Sequence, residues 1–200
     1  MSLLDLLPAL RLVVDEFERR GIEYYIGGSV ASSYYGEPRS TLDIDLGADL
    51  HESQVSELAA VWNRDFYVSE PAMREAIQRG KCFNLIHLSS TYKVDVFVRG
   101  SDRFSVSVFS RRRSHSITVG GETVTVWFAS PEDVILQKLV WFRKGGDSSE
   151  RQWRDIGLVW KYQRDTADDA YIAEWAATLK VPDLWDRIRD EATATSNQQF

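Results

Sequence analysis

Ile26-Gly27-Gly28-Ser29, followed by Arg39-Ser40-Thr41-Leu42-Asp43-Ile44-Asp45-Leu46, is the stretch on which the fold turns. Glu23-Tyr24-Tyr25-Ile26 reads as a strand running into paired glycines, and Ser29 then opens a short helix over 30–35 that Gly36 closes. Glycines at a strand-to-helix turn let a ligand approach the backbone, and amides at a helix start favour an anion; the same pair also serves as a plain turn. After the loop Glu37-Pro38-Arg39-Ser40, the segment 42–46 alternates strictly between apolar and acidic residues. Period two puts Asp43 and Asp45 on one strand face and directs Leu42, Ile44 and Leu46 into the core. Two neighbouring carboxylates repel unless a cation lies between them. Hard oxygen ligands that leave room for water and phosphate suit magnesium rather than zinc. The bland alternative is an exposed acidic strand face.

A third carboxylate, Asp95, interrupts the apolar run Val94-Asp95-Val96-Phe97-Val98. An ionised group among Val and Phe needs a partner or a metal. Lys93 or Arg99 would serve as ion-pair partner; a neighbouring strand carrying the Asp43/Asp45 pair offers a shared cation instead. Arg39 and Thr41, just ahead of that pair, either hold the loop or touch phosphate.

Outward from this centre, residues 3–20 form an amphipathic helix stopped by Gly21, and helices follow over 52–64 and 70–79. Strands at 82–88 and 93–99 are joined by Ser89-Ser90-Thr91, and 117–126 reads as a hairpin around Gly120-Gly121. Ser130-Pro131-Glu132-Asp133 then starts a helix, with Ser as N-cap, Pro in the first turn and acids against the helix dipole. That helix runs to about 142, Gly145-Gly146 ends it, and helices over 148–164, 168–180 and 183–192 precede a polar tail. The expected architecture is α/β (α+β): a small mixed sheet flanked by helices over 1–128, with a helical region, 129–200, packing on it.

Composition narrows the function. With 44% hydrophobic residues, 7 Trp, 8 Tyr and 9 Phe, the 200-residue chain can bury a real core. The single Cys82 excludes an internal disulfide, fits a reducing compartment, and beside Phe83 is expected as a small core residue. The N-terminal segment lacks a positive leader and its apolar positions are broken by charge, so neither a signal peptide nor a membrane span is expected, and the cytoplasm is the expected location. A net charge of −6 argues against nonspecific coating of nucleic acid. Residues 61–127 nevertheless hold 10 basic against 6 acidic side chains, with Arg111, Arg112 and Arg113 in a row near Arg99 and Arg103. Such a patch suits either a phosphate backbone or a solvated strand end.

Together, the Gly-Gly-Ser turn, the Asp43-x-Asp45 strand and the later Asp95 resemble the nucleotidyltransferase superfamily with the polymerase-beta-like fold. The pattern Ser130-Pro-Glu-Asp-Val-Ile-Leu-Gln-Lys138, then Arg143, then Arg151-Gln-Trp-Arg154-Asp155 is similar to the C-terminal part of the AbiEii-like toxins of abortive-infection and toxin–antitoxin systems. From the residues alone, Lys138 borders an apolar helix face and is usually solvated there, and Arg151 and Asp155 have the spacing of an intrahelical ion pair. The resemblance implies a nucleoside triphosphate over Gly27, Gly28 and Ser29, and two magnesium ions on Asp43, Asp45 and Asp95, with Asp95 assisting acceptor deprotonation. It also implies Lys138 on phosphate, Arg154 and Asp155 at the site, and an acceptor hydroxyl on RNA, protein or a small molecule such as an aminoglycoside. A cognate antitoxin is an implied partner. The opposing class is a catalytically silent binding module on the same fold; loss of a carboxylate would mark it, and none is missing.

Overall fold

The structure, a computed structural model, describes residues 3–119 and 122–196. Its elements are α1 (Leu3–Arg20), β1 (Tyr24–Ile26), α2 (Gly28–Tyr35), β2 (Asp43–Ala48), α3 (Val55–Trp62), β3 (Phe66–Tyr67), α4 (Glu70–Arg79), β4 (Cys82–His87) and β5 (Lys93–Val98). They continue with α5 (Arg103–Arg111), β6 (Arg113–Val119), β7 (Glu122–Phe128), α6 (Pro131–Lys144), α7 (Glu150–Gln163), α8 (Asp169–Thr178) and α9 (Pro182–Ser196). The expected turn at Gly120-Gly121 and the last residues of the expected polar tail, 197–200, lie outside the described residues. The chain divides into two compact units, Met1–Val30 with Arg39–Ala129, and Ala31–Pro38 with Ser130–Phe200. The division runs through α2.

In the first unit the described strands form one mixed sheet in the order β3-β4-β5-β2-β1-β7-β6. β2 pairs parallel with β5, and β1 parallel with β7; the remaining neighbours are antiparallel. One face is closed by helices because it is made of apolar side chains: Ile44 and Leu46 of β2, Val94 and Val96 of β5, and Leu85 of β4 are fully buried. Leu6, Leu10, Val13, Val14 and Phe17 of α1 are 1% exposed or less, and each such side chain contributes about 1.5–3 kcal/mol of burial. Phe17 meets the Trp62 ring edge-on at 5.8 Å and lies against Tyr24 at 5.6 Å.

Two expectations are overturned here. Leu42 is 57% exposed, because β2 begins only at Asp43 and the pleat does not extend back to it. Cys82 is exposed rather than part of the core: β4 alternates so that Phe83, Leu85 and His87 are buried and Cys82, Asn84 and Ile86 face the other way. Two elements were not expected at all, the two-residue edge strand β3 and the helix α5, which Asp102 caps by accepting the Ser105 amide at 2.9 Å.

The second unit is helical. Ser130 caps α6, accepting the Asp133 amide at 3.2 Å, and donates its hydroxyl to Asp133 at 2.6 Å. Asp133 is fully buried and also accepts from the Tyr171 hydroxyl at 2.7 Å, as a buried carboxyl group requires hydrogen-bond partners. Glu132, 1% exposed, accepts the Asp168 amide at 3.1 Å and so ties the start of α6 to the start of α8. Trp160 and Trp185 pack edge-to-face at 4.8 Å between α7 and α9. The helices at the end of the chain run as expected, except that α9 continues to Ser196.

Candidate active site

The face of the sheet away from the buried helices carries the acidic residues. β2 and β5 are in register over their whole length, with Asp45 opposite Asp95 and Asp43 opposite Lys93. Residues paired in register project to the same side, so Asp43, Asp45 and Asp95 share one face. Asn84 of β4 stands opposite Asp95 from the other side and extends this polar row. No local pattern singles out Asn84, whose place depends on strand pairing.

The Gly-Gly turn is built against this row. The Gly27 amide donates to the Asp45 carbonyl at 2.8 Å, continuing the β1–β2 ladder, so Gly27 spends its N–H on the sheet. Gly28 begins α2 with φ of +54°, a left-handed conformation that side chains oppose. A β-carbon there would lie 1.8 Å from Asp45 Oδ2. Glycine at 28 therefore leaves the space that the Asp45 carboxylate fills. The first-turn amides of α2 have no carbonyl four residues back within the helix, which is the basis of anion binding at such turns. Arg39 Nη2 donates to Ser29 Oγ at 2.5 Å, bringing a guanidinium to the same turn. Thr41 has a local role: its hydroxyl donates to the Asp43 carbonyl at 3.1 Å and accepts the Asp43 amide at 3.4 Å, fixing the entry of β2.

Of the two partners considered for Asp95, the structure selects Lys93. Its Nζ lies 2.8 Å from Asp95 Oδ2 and 3.6 Å from Asp43 Oδ1, and the hydrogen bond to Asp95 raises the Lys93 pKa. Arg99 instead bonds Asp49 at 2.6 Å and approaches Glu23 at 3.7 Å. Arg112 also pairs with Glu23, at 2.7 Å, and lies over the Trp127 ring. Two cations of the expected basic patch are thus already matched to carboxylates, and Arg111 ends α5 while Arg113 begins β6. Cys82 joins the acidic face: partial desolvation of the sulfur, then the charges of Asp95 and Asp45, push its thiol up to about 12.

In the second unit, Lys138 Nζ and Asp155 Oδ2 form an ion pair at 2.9 Å, both side chains more than nine-tenths buried. Ser32 donates to the same Asp155 oxygen at 3.3 Å. Asp155 is therefore partnered by Lys138 and not by Arg151 one turn earlier. Arg154 is 75% exposed and approaches Glu37 at 3.4 Å.

The donor set fits magnesium by its chemistry: carboxylate oxygens on one face, two of them in register, beside a glycine turn. Among the described residues, no group of three or more His, Cys, Asp or Glu side chains converges as it stands into a metal cluster. The ammonium of Lys93 lies between Asp43 and Asp95. Among the described residues no helix is long and apolar enough to cross a membrane.

No protein-family model matches the chain, and no curated protein matches it. Among solved structures, the antigenic nucleotidyltransferase-like protein from Paracoccidioides brasiliensis is similar at 20% identity over 94% of both chains, with a TM-score of 0.54. The antibiotic-resistance factor ANT(2'')-Ia superposes at 13% identity over 94% of both chains with a TM-score of 0.48, too loosely to carry weight. The same holds for the lincosamide antibiotic adenylyltransferase LnuA, lincomycin-bound, at 14% identity over 75% of this chain and 93% of that one, with a TM-score of 0.46. The fold is nucleotidyltransferase-like.

Proposed function

We propose that the protein is a magnesium-dependent nucleotidyltransferase that moves a nucleoside monophosphate from a nucleoside triphosphate to an acceptor hydroxyl and releases pyrophosphate. One observation carries this reading: Asp45 and Asp95 stand opposite each other on parallel strands, with the Asp45 carboxylate seated against Gly28 at the start of α2. That places paired carboxylates beside an anion-favouring turn, the two requirements of phosphate transfer to a hydroxyl.

The α2 first turn and Arg39 bind the triphosphate, Ser29 being held by the Arg39 guanidinium. Asp43, Asp45 and Asp95 would hold magnesium, whose positive charge would offset that of the transferred phosphate. Asp95 takes the proton of the acceptor hydroxyl on its carboxylate as the acceptor oxygen bonds to the α-phosphorus. The bond from that phosphorus to the pyrophosphate oxygen breaks in the same displacement. Lys138 and Asp155 satisfy each other inside the second unit, so a phosphate contact by Lys138 would require exchange of its carboxylate partner. The finer assignment, an AbiEii-like toxin acting on RNA or protein and bound by a cognate antitoxin, rests on the motif around Lys138, Arg154 and Asp155 alone.

The test is incorporation of labelled nucleotide in the presence of magnesium, by the wild type and by Asp43→Ala/Asp45→Ala, with a lysate as acceptor source and with ribonuclease in a parallel arm. A loss of about a hundredfold or more in the double variant supports the reading; equal incorporation ends it. Calorimetry with magnesium and each triphosphate tests the silent-module alternative, which absence of binding would favour.

A further inference from the structure

The carboxylate face already contains a positive charge, and its position has a consequence for metal binding. Lys93 precedes Asp95 by two residues on β5, so the pleat puts both on one side; register puts Lys93 opposite Asp43. The ammonium reaches back to Asp95 Oδ2 at 2.8 Å and across to Asp43 Oδ1 at 3.6 Å, bridging two strands. Lysine is suited to this: a compact charge on a flexible stem, able to swing away from a partner it holds. Its side chain is 40% exposed, so water can receive it when it leaves. Asp43 is 55% and Asp95 17% exposed, which makes the Asp95 contact the better shielded of the two.

We infer that Lys93 is a tethered counter-ion of the proposed metal site: it neutralises Asp43 and Asp95 when no metal is bound, and a divalent ion must displace it to bind both. The inference rests on the metal-binding reading above and adds a competitor to it. Without a cation, Asp43, Asp45 and Asp95 would repel one another. With Lys93 in place that repulsion is offset, and the site is held in order at the cost of weaker metal affinity. Displacement also frees the ammonium at the edge of the site, so the metal-bound face keeps its net charge more positive than the three carboxylates alone would give.

The experiment is manganese binding by the intact chain, followed by loss of the free-ion electron paramagnetic resonance signal, in wild type, Lys93→Met, Lys93→Arg and Asp45→Asn. Thermal melts with and without manganese accompany each. Removing a unit charge within contact distance of two partly exposed carboxylates should tighten manganese binding by roughly fivefold or more in Lys93→Met. Lys93→Met should also melt lower than wild type without metal and gain more from manganese, whereas Lys93→Arg, keeping the charge, should stay near wild type in affinity. Equal affinity in wild type and Lys93→Met, with binding abolished by Asp45→Asn, overturns the counter-ion role and leaves the metal site standing. Weaker binding in Lys93→Met overturns it as well. Absence of binding in every chain, or binding indifferent to Asp45→Asn, overturns the metal reading and the inference with it. Should Lys93→Met fail to fold, Lys93→Gln provides the same comparison.

Discussion

The Asp45 carboxylate occupies the position that a β-carbon on Gly28 would take. This one contact joins the glycine turn to the acidic strand and makes each residue depend on the other. Gly28→Ala should cost about 1–3 kcal/mol, since the new methyl group meets both an unfavourable positive φ and the displaced carboxylate. Gly28→Ala/Asp45→Ala should be less destabilised than the sum of the single changes, because the second substitution clears the space. Urea denaturation of the four chains measures this coupling. An additive result would mean that the contact carries no energy.

Lys138 and Asp155 provide a second test. If they are an internal ion pair of the helical unit, Lys138→Met alone should destabilise by about 3–5 kcal/mol, leaving a buried carboxylate without its cation. Lys138→Met/Asp155→Leu should recover much of that loss. Denaturation midpoints decide it: a Lys138→Met chain as stable as wild type would show that the lysine serves a ligand and not the fold.

Arg39 donates to Ser29 at the turn that we assign to phosphate, so Arg39→Lys and Arg39→Ala separate charge from geometry. Arg39→Ala should raise KM for the triphosphate by about tenfold, with a smaller change in kcat, because a lost ground-state contact is worth about 1–2 kcal/mol. Steady-state kinetics with saturating acceptor measures the split. A fall in kcat at unchanged KM would assign Arg39 to the transition state instead.

Cys82 gives a pH-dependent readout of the same face. Its thiol, pushed up to about 12 by partial desolvation and by Asp95 and Asp45, holds its proton through the neutral range. Only the thiolate is alkylated, so labelling by iodoacetamide at pH 8 should be roughly a hundredfold or more slower than for an unperturbed thiol, rising as pH climbs toward 12. The sign follows from the raised value: the reactive form is scarce below it and gains as it is approached. Asp95→Asn should speed labelling at fixed pH by removing one negative neighbour. Mass spectrometry of timed reactions checks both; a Cys82 that labels at the ordinary rate would refute the assigned environment.

The acidic strand could be read directly because Asp43 and Asp45 alternate with buried Ile44 and Leu46, and the start of α6 because Ser130-Pro131 caps it in the usual way. Other features needed the folded chain. Ser105-Val106-Ser107-Val108 alternates as a strand would, yet it lies in α5, where Asp102 caps the helix and Val108 and Phe109 are the buried positions. Cys82 looked like core by residue type, but the phase of β4 is set by Phe83 and Leu85, which claim the interior. Lys93 could have been placed on the Asp95 face by its two-residue spacing; its reach to Asp43 could not, because that depends on which strand lies beside β5. Strand order is decided by contacts between distant segments, and local periodicity does not encode it.

The parallel pairing of β2 with β5 has one more consequence. Parallel neighbours cannot be joined by a tight hairpin, and here the chain makes α3, β3, α4 and β4 before β5 comes back beside β2. During synthesis, Asp43 and Asp45 therefore leave the ribosome well before the residue that completes their row. A nascent chain halted ahead of Lys93 would carry the glycine turn and two aspartates with neither the third carboxylate nor the lysine that neutralises them. The row of carboxylates would then be completed in one step, when β5, near the midpoint of the chain, pairs with β2.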